Sequence, residues 1–376
     1  MFLTECSHDD VTTEITPCEP VAISFMPTLA PTLAEGEETT RAGQPGVMNC
    51  EDLRTTGFGV FASLNENQTP DMMFNQEVKF TFVGDMDNSL TGYWSYQPVK
   101  YWPNDLTHCY ISAYAPYQEL PIADPETTTG IYGLSTNSEA PYVDYRRCDN
   151  PQNVVDLLWY YEEPGNIPAA GKLAMKMRHA LARLELKVAL AAAPASGTKV
   201  LIEKITLTGK MAKTGRLSLC SQTTVIENEG TEDEVTKYYP VWSNQVFDKD
   251  AGNNDKDHII QIKNEDNDPV SYGIIDSQVR YIPEMPYAWQ PEGLKVYDAE
   301  VEGKNYLNAL STGDRTGYIF LIPQDELELT VTVKYHKVTS GSDVPGEKTT
   351  TTSTMTVAEP LKGNTTYTLT IKLSDI

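Results

Sequence analysis

Apolar residues recur at every second position in short runs along this chain. That period suits a β-strand with one buried face, and it does not suit a helix. In Glu77-Val78-Lys79-Phe80-Thr81-Phe82-Val83, the side chains of Val78, Phe80 and Phe82 share one face. Leu327, Leu329, Val331, Val333 and Tyr335 repeat the pattern, as do Tyr367, Leu369, Ile371 and Leu373 near the end. Phe58 and Val60 within Gly57–Ala62 give another strand, and Gly317–Gln324 reads as a buried strand that stops at Pro323. The chain carries 21 tyrosines and 24 prolines. Aromatic rings favour pleated surfaces and proline disfavours helix interiors, so both push toward strands and loops. An all-β protein is expected, and 376 residues suffice for two domains of ordinary size.

Charge and motif content narrow the function classes. Acids outnumber lysine and arginine by 53 to 29, a net charge of −24. So acidic a surface argues against nucleic acid or an anionic membrane as the main partner. No 18-residue apolar run is present to span a bilayer. The cysteines Cys6, Cys18, Cys50, Cys109, Cys148 and Cys220 are scattered, with no Cys-x-x-Cys pair, which makes zinc and thioredoxin-type chemistry poor readings. Asp85, Asp87 and Ser89 have the spacing of a calcium loop, but the closing position is Tyr96 rather than an acid. The acidic loop Asp248–Asp257 likewise lacks a closing glutamate and reads as a solvated turn. No metal site and no cofactor are expected. Gly-x-Ser-x-Gly, His-Glu-x-x-His and phosphate-loop motifs are absent, and pairs such as Glu162-Glu163 are ordinary in so acidic a chain. An enzyme is not expected.

Two central stretches are less plain. Gly92-Tyr93-Trp94-Ser95-Tyr96-Gln97-Pro98-Val99-Lys100-Tyr101-Trp102-Pro103, then Tyr110–Tyr117, places bulky rings on both faces. That predicts strands buried between layers; the alternative is a sugar-stacking face. Leu173–Val188 fits a helical face through Leu173, Met177, Leu181, Leu184 and Val188, or a strand with a bulge between Leu181 and Leu184. Lys199–Thr208 and Arg216–Leu219 read as a hairpin around Gly209 and Gly215.

The N-terminal 50 residues have a different character. Cys6 follows small and apolar residues and precedes acids, as at a lipoprotein cleavage site, although Glu5 is atypical there and the apolar core of a signal is missing. A late start or a trimmed leader is expected; the alternative is an ordinary cysteine in a tail. Val21, Ile23 and Phe25 alternate with Ala22 and Ser24 in a run bracketed by Pro20 and Pro27, the pattern of a short edge strand. Leu33–Gly46 is polar and low in hydrophobicity, the kind of segment where proteases cut. It holds Arg41, the sole lysine or arginine before Arg54.

The run Trp94–Pro103 followed by Ala113-Tyr114-Ala115-Pro116-Tyr117 resembles the fimbrillin-like proteins of Bacteroides and its relatives, subunits of pili built from lipoprotein precursors. Thr40-Arg41-Ala42-Gly43, Gly57–Ala62, Arg178-His179-Ala180-Leu181-Ala182-Arg183-Leu184, the Leu321-Ile322-Pro323-Gln324 run and Gly363-Asn364-Thr365-Thr366-Tyr367 stand in the order that family has them. The resemblance makes Leu173–Val188 a strand, with His179 packed in it. It implies two tandem transthyretin-like β-sandwich domains with a removable N-terminal strand: a leader, strand and linker at 1–45, a first domain at 46–170 and a second at 171–376. It further implies lipidation at Cys6, anchoring to the outer membrane, and cleavage between Arg41 and Ala42 by an arginine-specific protease. The strand of Val21, Ile23 and Phe25 would leave, and a strand from another copy or a related subunit would fill the groove. Leu369, Ile371 and Leu373 match the donor strand in pattern. Such a subunit serves adhesion from a surface fimbria. The alternative is a non-polymerising surface lipoprotein, an anchor subunit or a binder that holds a glycan or host protein through Trp94, Tyr96, Tyr101 and Trp102.

Overall fold

The computed structural model describes residues 20–30, 47–83, 92–147, 155–190, 198–247, 260–261, 273–276, 281–282, 306–308, 319–339, 348–357 and 360–373. Cys6, Arg41, Ala42, the Asp85–Ser89 loop and the Asp248–Asp257 loop lie outside these residues. The protein is nearly all β, with sheets packed in a sandwich-like arrangement.

In chain order, the strands of the first part are β1 (Ser24–Leu29), β2 (Phe58–Ser63), β3 (Met73–Phe82), β4 (Gly92–Ser95), β5 (Tyr110–Ala115), β6 (Gly130–Leu134), β7 (Tyr142–Arg146), β8 (Leu158–Glu162) and β9 (Lys172–His179). A seven-stranded sheet has the order β1-β9-β8-β5-β2-β3-β4. It separates two cores, because alternate side chains of its middle strands face opposite ways. Phe58, Val60 and Ala62 of β2, Ile111 and Ala113 of β5, Leu158 and Tyr160 of β8, and Leu173, Met175 and Met177 of β9 enter one core. Phe61, Tyr114, Trp159 and Tyr161 point into the other. This explains why β2 and β5 read as continuous apolar runs.

The remaining strands are β10 (Ala182–Leu190), β11 (Thr198–Lys210), β12 (Ala212–Glu227), β13 (Val235–Phe247), β14 (Ile260–Gln261), β15 (Gly273–Asp276), β16 (Tyr281–Ile282), β17 (Tyr306–Asn308), β18 (Ile319–Leu321), β19 (Leu327–Thr339), β20 (Lys348–Val357) and β21 (Thr366–Leu373). A four-stranded sheet, β13-β12-β7-β6, covers the second core with Ile131, Val143, Tyr145, Leu217 and Leu219. β10 lies beside β17, β18 and β21, and β11 lies in the order β16-β15-β11-β19-β20 with β14 alongside. Pairing runs across the expected division at residues 170 and 171. β9 joins β8, and β12 joins β7.

Several expectations are refined. Leu173–Val188 is strand, broken at Ala180 and Leu181, which turn into the second core. The hairpin of Lys199–Thr208 with Arg216–Leu219 does not form. β11 pairs with β19, whereas β12 crosses to β7 and β13. Periodicity had identified both strands but carries no information on partners. The aromatic run is buried along β5 and at Tyr96 and Trp102, whereas β4 is an edge strand with Tyr93 exposed. Phe82 also stands exposed, because β3 outruns the core beyond Val78. There Phe80 meets Phe82 and Trp94 edge-to-face at centroid distances of 5.0 and 5.1 Å, and Arg54 lies over its ring.

One short helix, α1 (Cys50–Thr56), was not expected from periodicity. The Asn49 side chain accepts from the N–H groups of Glu51 and Asp52, and Asp52 accepts in return from the N–H of Asn49. This reciprocal cap satisfies donors that a helix start leaves orphaned. The Asn49-x-x-Asp52 spacing was the available signal.

Candidate functional site

β1 fills a slot between two unlike walls. On one side it runs parallel to β9, in register from Ser24 opposite Lys172 to Leu29 opposite Met177. The Ala30 N–H donates to the Met177 carbonyl at 2.7 Å. On the other side the chain just before β1 meets Lys100–Trp102. Ala22 bridges to Tyr101 in antiparallel sense, the Ile23 N–H donates to Lys100 and the Trp102 N–H donates to Val21, both at 2.9 Å. Successive residues of a strand direct their backbone groups to opposite sides. Ala30 faces β9 and Ile23 faces Lys100, so Phe25, Pro27 and Leu29 also face away from β9. Pro27 therefore falls where β9 needs no N–H. This is why the strand runs through this proline instead of ending before it.

Ile23 and Phe25 fill the first core at 2% and 4% exposure. The Phe25 ring meets Phe58 edge-on at 6.1 Å and Tyr96 at 5.4 Å. Burying two such side chains contributes about 3–6 kcal/mol. Val21, expected as a third inward residue, is 39% exposed. It lies at the rim, where the core ends beside Gly171.

Tyr96 and Trp102 tie this segment down. The Tyr96 hydroxyl donates to the Ile23 carbonyl at 3.0 Å and accepts from the Lys100 N–H at 3.2 Å. Burial pushes its pKa above the usual tyrosine range, partly offset by the backbone hydrogen bond at Lys100. The Trp102 Nε1–H donates to the Gly171 carbonyl at 3.1 Å, which also accepts from the Ser24 hydroxyl at 3.4 Å. Gly171 has φ +69°, and a Cβ there would stand 2.2 Å from the Ala22 carbonyl oxygen. Sequence reasoning missed Gly171; only the approach of another chain segment reveals its role.

The four aromatics considered as a sugar-binding face do not form one. Tyr96 and Trp102 are buried and hydrogen-bonded to backbone, and Trp94 packs on Phe58 and Phe80. Tyr101 alone among them is exposed.

β21, which carries Leu369, Ile371 and Leu373, runs parallel to β10, with Leu186 opposite Leu369. Leu369 is buried. Its strand lies on the same edge as β1. The carbonyl of Met177 faces β1, while the Leu181 carbonyl and the Arg183 N–H meet Asn364 and Thr365 just ahead of β21. The Ala180 N–H between them points the opposite way, to Leu157. β1 and β21 thus follow one another along β9–β10, both parallel to it.

The Met48 N–H donates to Asp156 Oδ2 at 3.0 Å. The same oxygen lies 2.7 Å from Nδ1 of His179, and both side chains are buried. His179 is thus a packed strand residue with a carboxylate partner. Among the described residues no group of three or more His, Cys, Asp or Glu side chains gathers as metal ligands would.

The fold is that of an all-β protein whose first described strand lies parallel at a sheet edge and plugs the core. The profile of the fimbrillin-like family matches residues 40–269, more than half of the chain, and the chain belongs to that family. A solved fimbrial protein from Bacteroides vulgatus is 19% identical, covering 94% of this chain and 95% of that one at a TM-score of 0.50, and shares the fold. A candidate cell adhesion protein from Bacteroides ovatus is 12% identical, with 95% and 93% of the chains covered and a TM-score of 0.37. A fimbrial protein from Bacteroides ovatus is 12% identical, with 95% and 50% covered and a TM-score of 0.34. No curated protein sequence matches the chain.

Proposed function

We propose that the protein is a structural subunit of a cell-surface fimbria that serves adhesion, assembled by exchange of the strand in the β1 slot. Its two parts are tandem transthyretin-like units, the first of which also takes β9 and β12 from beyond residue 170. The precursor carries a lipid on Cys6 and is held at the outer membrane. An arginine-specific protease cuts between Arg41 and Ala42, and the segment containing β1 departs. A strand from another copy or a related subunit then takes its place. The observation that carries this reading is the way residues 23–29 are held: they plug the core with Ile23 and Phe25, yet among the described residues β1 pairs with β9 alone. Its departure would bare a row of unpaired backbone groups and two apolar pockets. A donated strand restores both.

The candidate donor, with Leu369, Ile371 and Leu373, pairs along β10 from Arg183 to Leu190. Donation requires its release from that edge. Because β21 already runs parallel to β10 on the edge that β9 offers to β1, the same strand direction serves both places. Head-to-tail donation does not close on itself and produces a filament.

The experiment is Arg41→Ala in the native host, read by N-terminal sequencing and by the length of surface polymers. The expected result is an unprocessed chain and no polymer growth. Polymers of normal length from this variant would sink the reading.

A further inference from the structure

The hydrogen bonds that hold residues 21–23 fall on their backbone. Lys100 accepts the Ile23 N–H, Trp102 donates to the Val21 carbonyl, and Tyr96 donates to the Ile23 carbonyl. Gly171 takes the close pass of Ala22, with no room for a Cβ. Groups that read backbone are indifferent to which side chains a strand carries. They are sensitive to where along the slot its N–H and C=O groups fall. A slip of one residue would turn the inward side chains outward. A slip of two would put a different pair into the pockets of Ile23 and Phe25.

We propose that Tyr96, Trp102 and Gly171, with the Lys100 carbonyl, form a latch that sets the register of the strand in the β1 slot. They hold β1 in the intact chain. On the strand-exchange reading above, they set the same register for the strand that replaces it. The latch defines the chemistry of that partner: an extended segment of a second copy or a related subunit, with an aliphatic side chain at the Ile23 position and a bulky apolar one two residues on. Proline is excluded at the Ile23 position, because Lys100 takes that N–H. It is tolerated at the Pro27 position, which faces away from β9.

The latch is itself preorganised. Tyr96 is fixed by the Lys100 N–H, and the Trp102 indole by the Gly171 carbonyl. Of these two contacts, neither uses β1. Both can persist with the slot empty, which lowers the ordering cost of capturing a new strand.

Site-resolved hydrogen exchange on the intact chain tests the latch. Tyr96→Phe removes one hydroxyl and keeps the ring. It is expected to speed exchange of the Ile23 and Lys100 amides about fivefold to tenfold, as loss of one hydrogen bond does. Gly171→Ala is expected to speed exchange at Ile23 and Trp102 by at least about a hundredfold, through backbone strain and collision. The Ala180 amide, bonded to Leu157 away from the slot, is expected to stay protected. If Gly171→Ala fails to fold, Tyr96→Phe decides alone. Unchanged protection at Ile23 in Tyr96→Phe overturns the proposal. That outcome leaves the exchange reading standing, whereas polymers from Arg41→Ala remove the exchange reading and leave the latch on β1 intact.

Discussion

Asp156 and His179 form a buried pair, with Oδ2 of the carboxylate 2.7 Å from Nδ1 of the ring. The carboxylate also receives the N–H groups of Met48 and Leu157 at 3.0 and 2.9 Å. It thereby ties Met48 and the end of β9 to the chain entering β8. Asp156→Ala leaves these donors unpaired in the interior. A loss of about 3–5 kcal/mol is expected in urea unfolding, the range for breaking a buried pair. Combined with His179→Ala, the two losses should fall short of additivity by about 0.5–3 kcal/mol. Simple additivity would mean that the pair does not act as a unit.

Phe25 and Val21 share a strand parity but not a burial. Phe25→Ala is expected to cost about 3–5 kcal/mol, because it empties a pocket lined by Phe58 and Tyr96. Val21→Ala is expected to stay within about 0.5 kcal/mol, as exposed positions do. Thermal unfolding of the two single variants measures the contrast. Equal losses would contradict the exposure of Val21.

Cys109 is a free thiol among the described residues, and burial raises its pKa from 9.0 to about 11, with the nearby Asp71 charge adding to the effect. The folded form holds this proton more tightly than the unfolded chain. Its contribution to stability is therefore complete below pH 9 and is lost as pH rises toward about 11. Unfolding measured from pH 8 to 11 should show a steeper alkaline fall in the wild type than in Cys109→Ala. Cys50 is exposed, so mild alkylation should modify it while Cys109 stays unlabelled until the protein unfolds.

Asn49 caps α1 through two N–H groups, and its own N–H is returned to Asp52. Asn49→Ala should cost about 1 kcal/mol, and Asn49→Ser should recover most of it. Circular dichroism is too coarse for so short a helix, so chemical denaturation is the measurement. A loss that Asn49→Ser fails to recover would point to packing and not capping.

By itself the sequence marked strands such as β2, β3, β5, β19 and β21 and, within several, which side chains turn inward. Leu327, Leu329 and Val331 are buried as their alternation requires, and so are Ile23 and Phe25. The reason is local: the side-chain period of a strand is fixed by the pleat, and apolar residues record which face meets a core. Tertiary structure alone decided the partners. Backbone N–H and C=O groups are the same for nearly every residue, so nothing in β11 or β12 announced that they would join different sheets. The same holds for the parallel seating of β1 on β9, the opposite fates of Tyr96 and Tyr101 in one aromatic run, and the carboxylate that meets His179. Gly171 is the sharpest case: its lack of a side chain gains meaning only where Ala22, far away in sequence, passes against it.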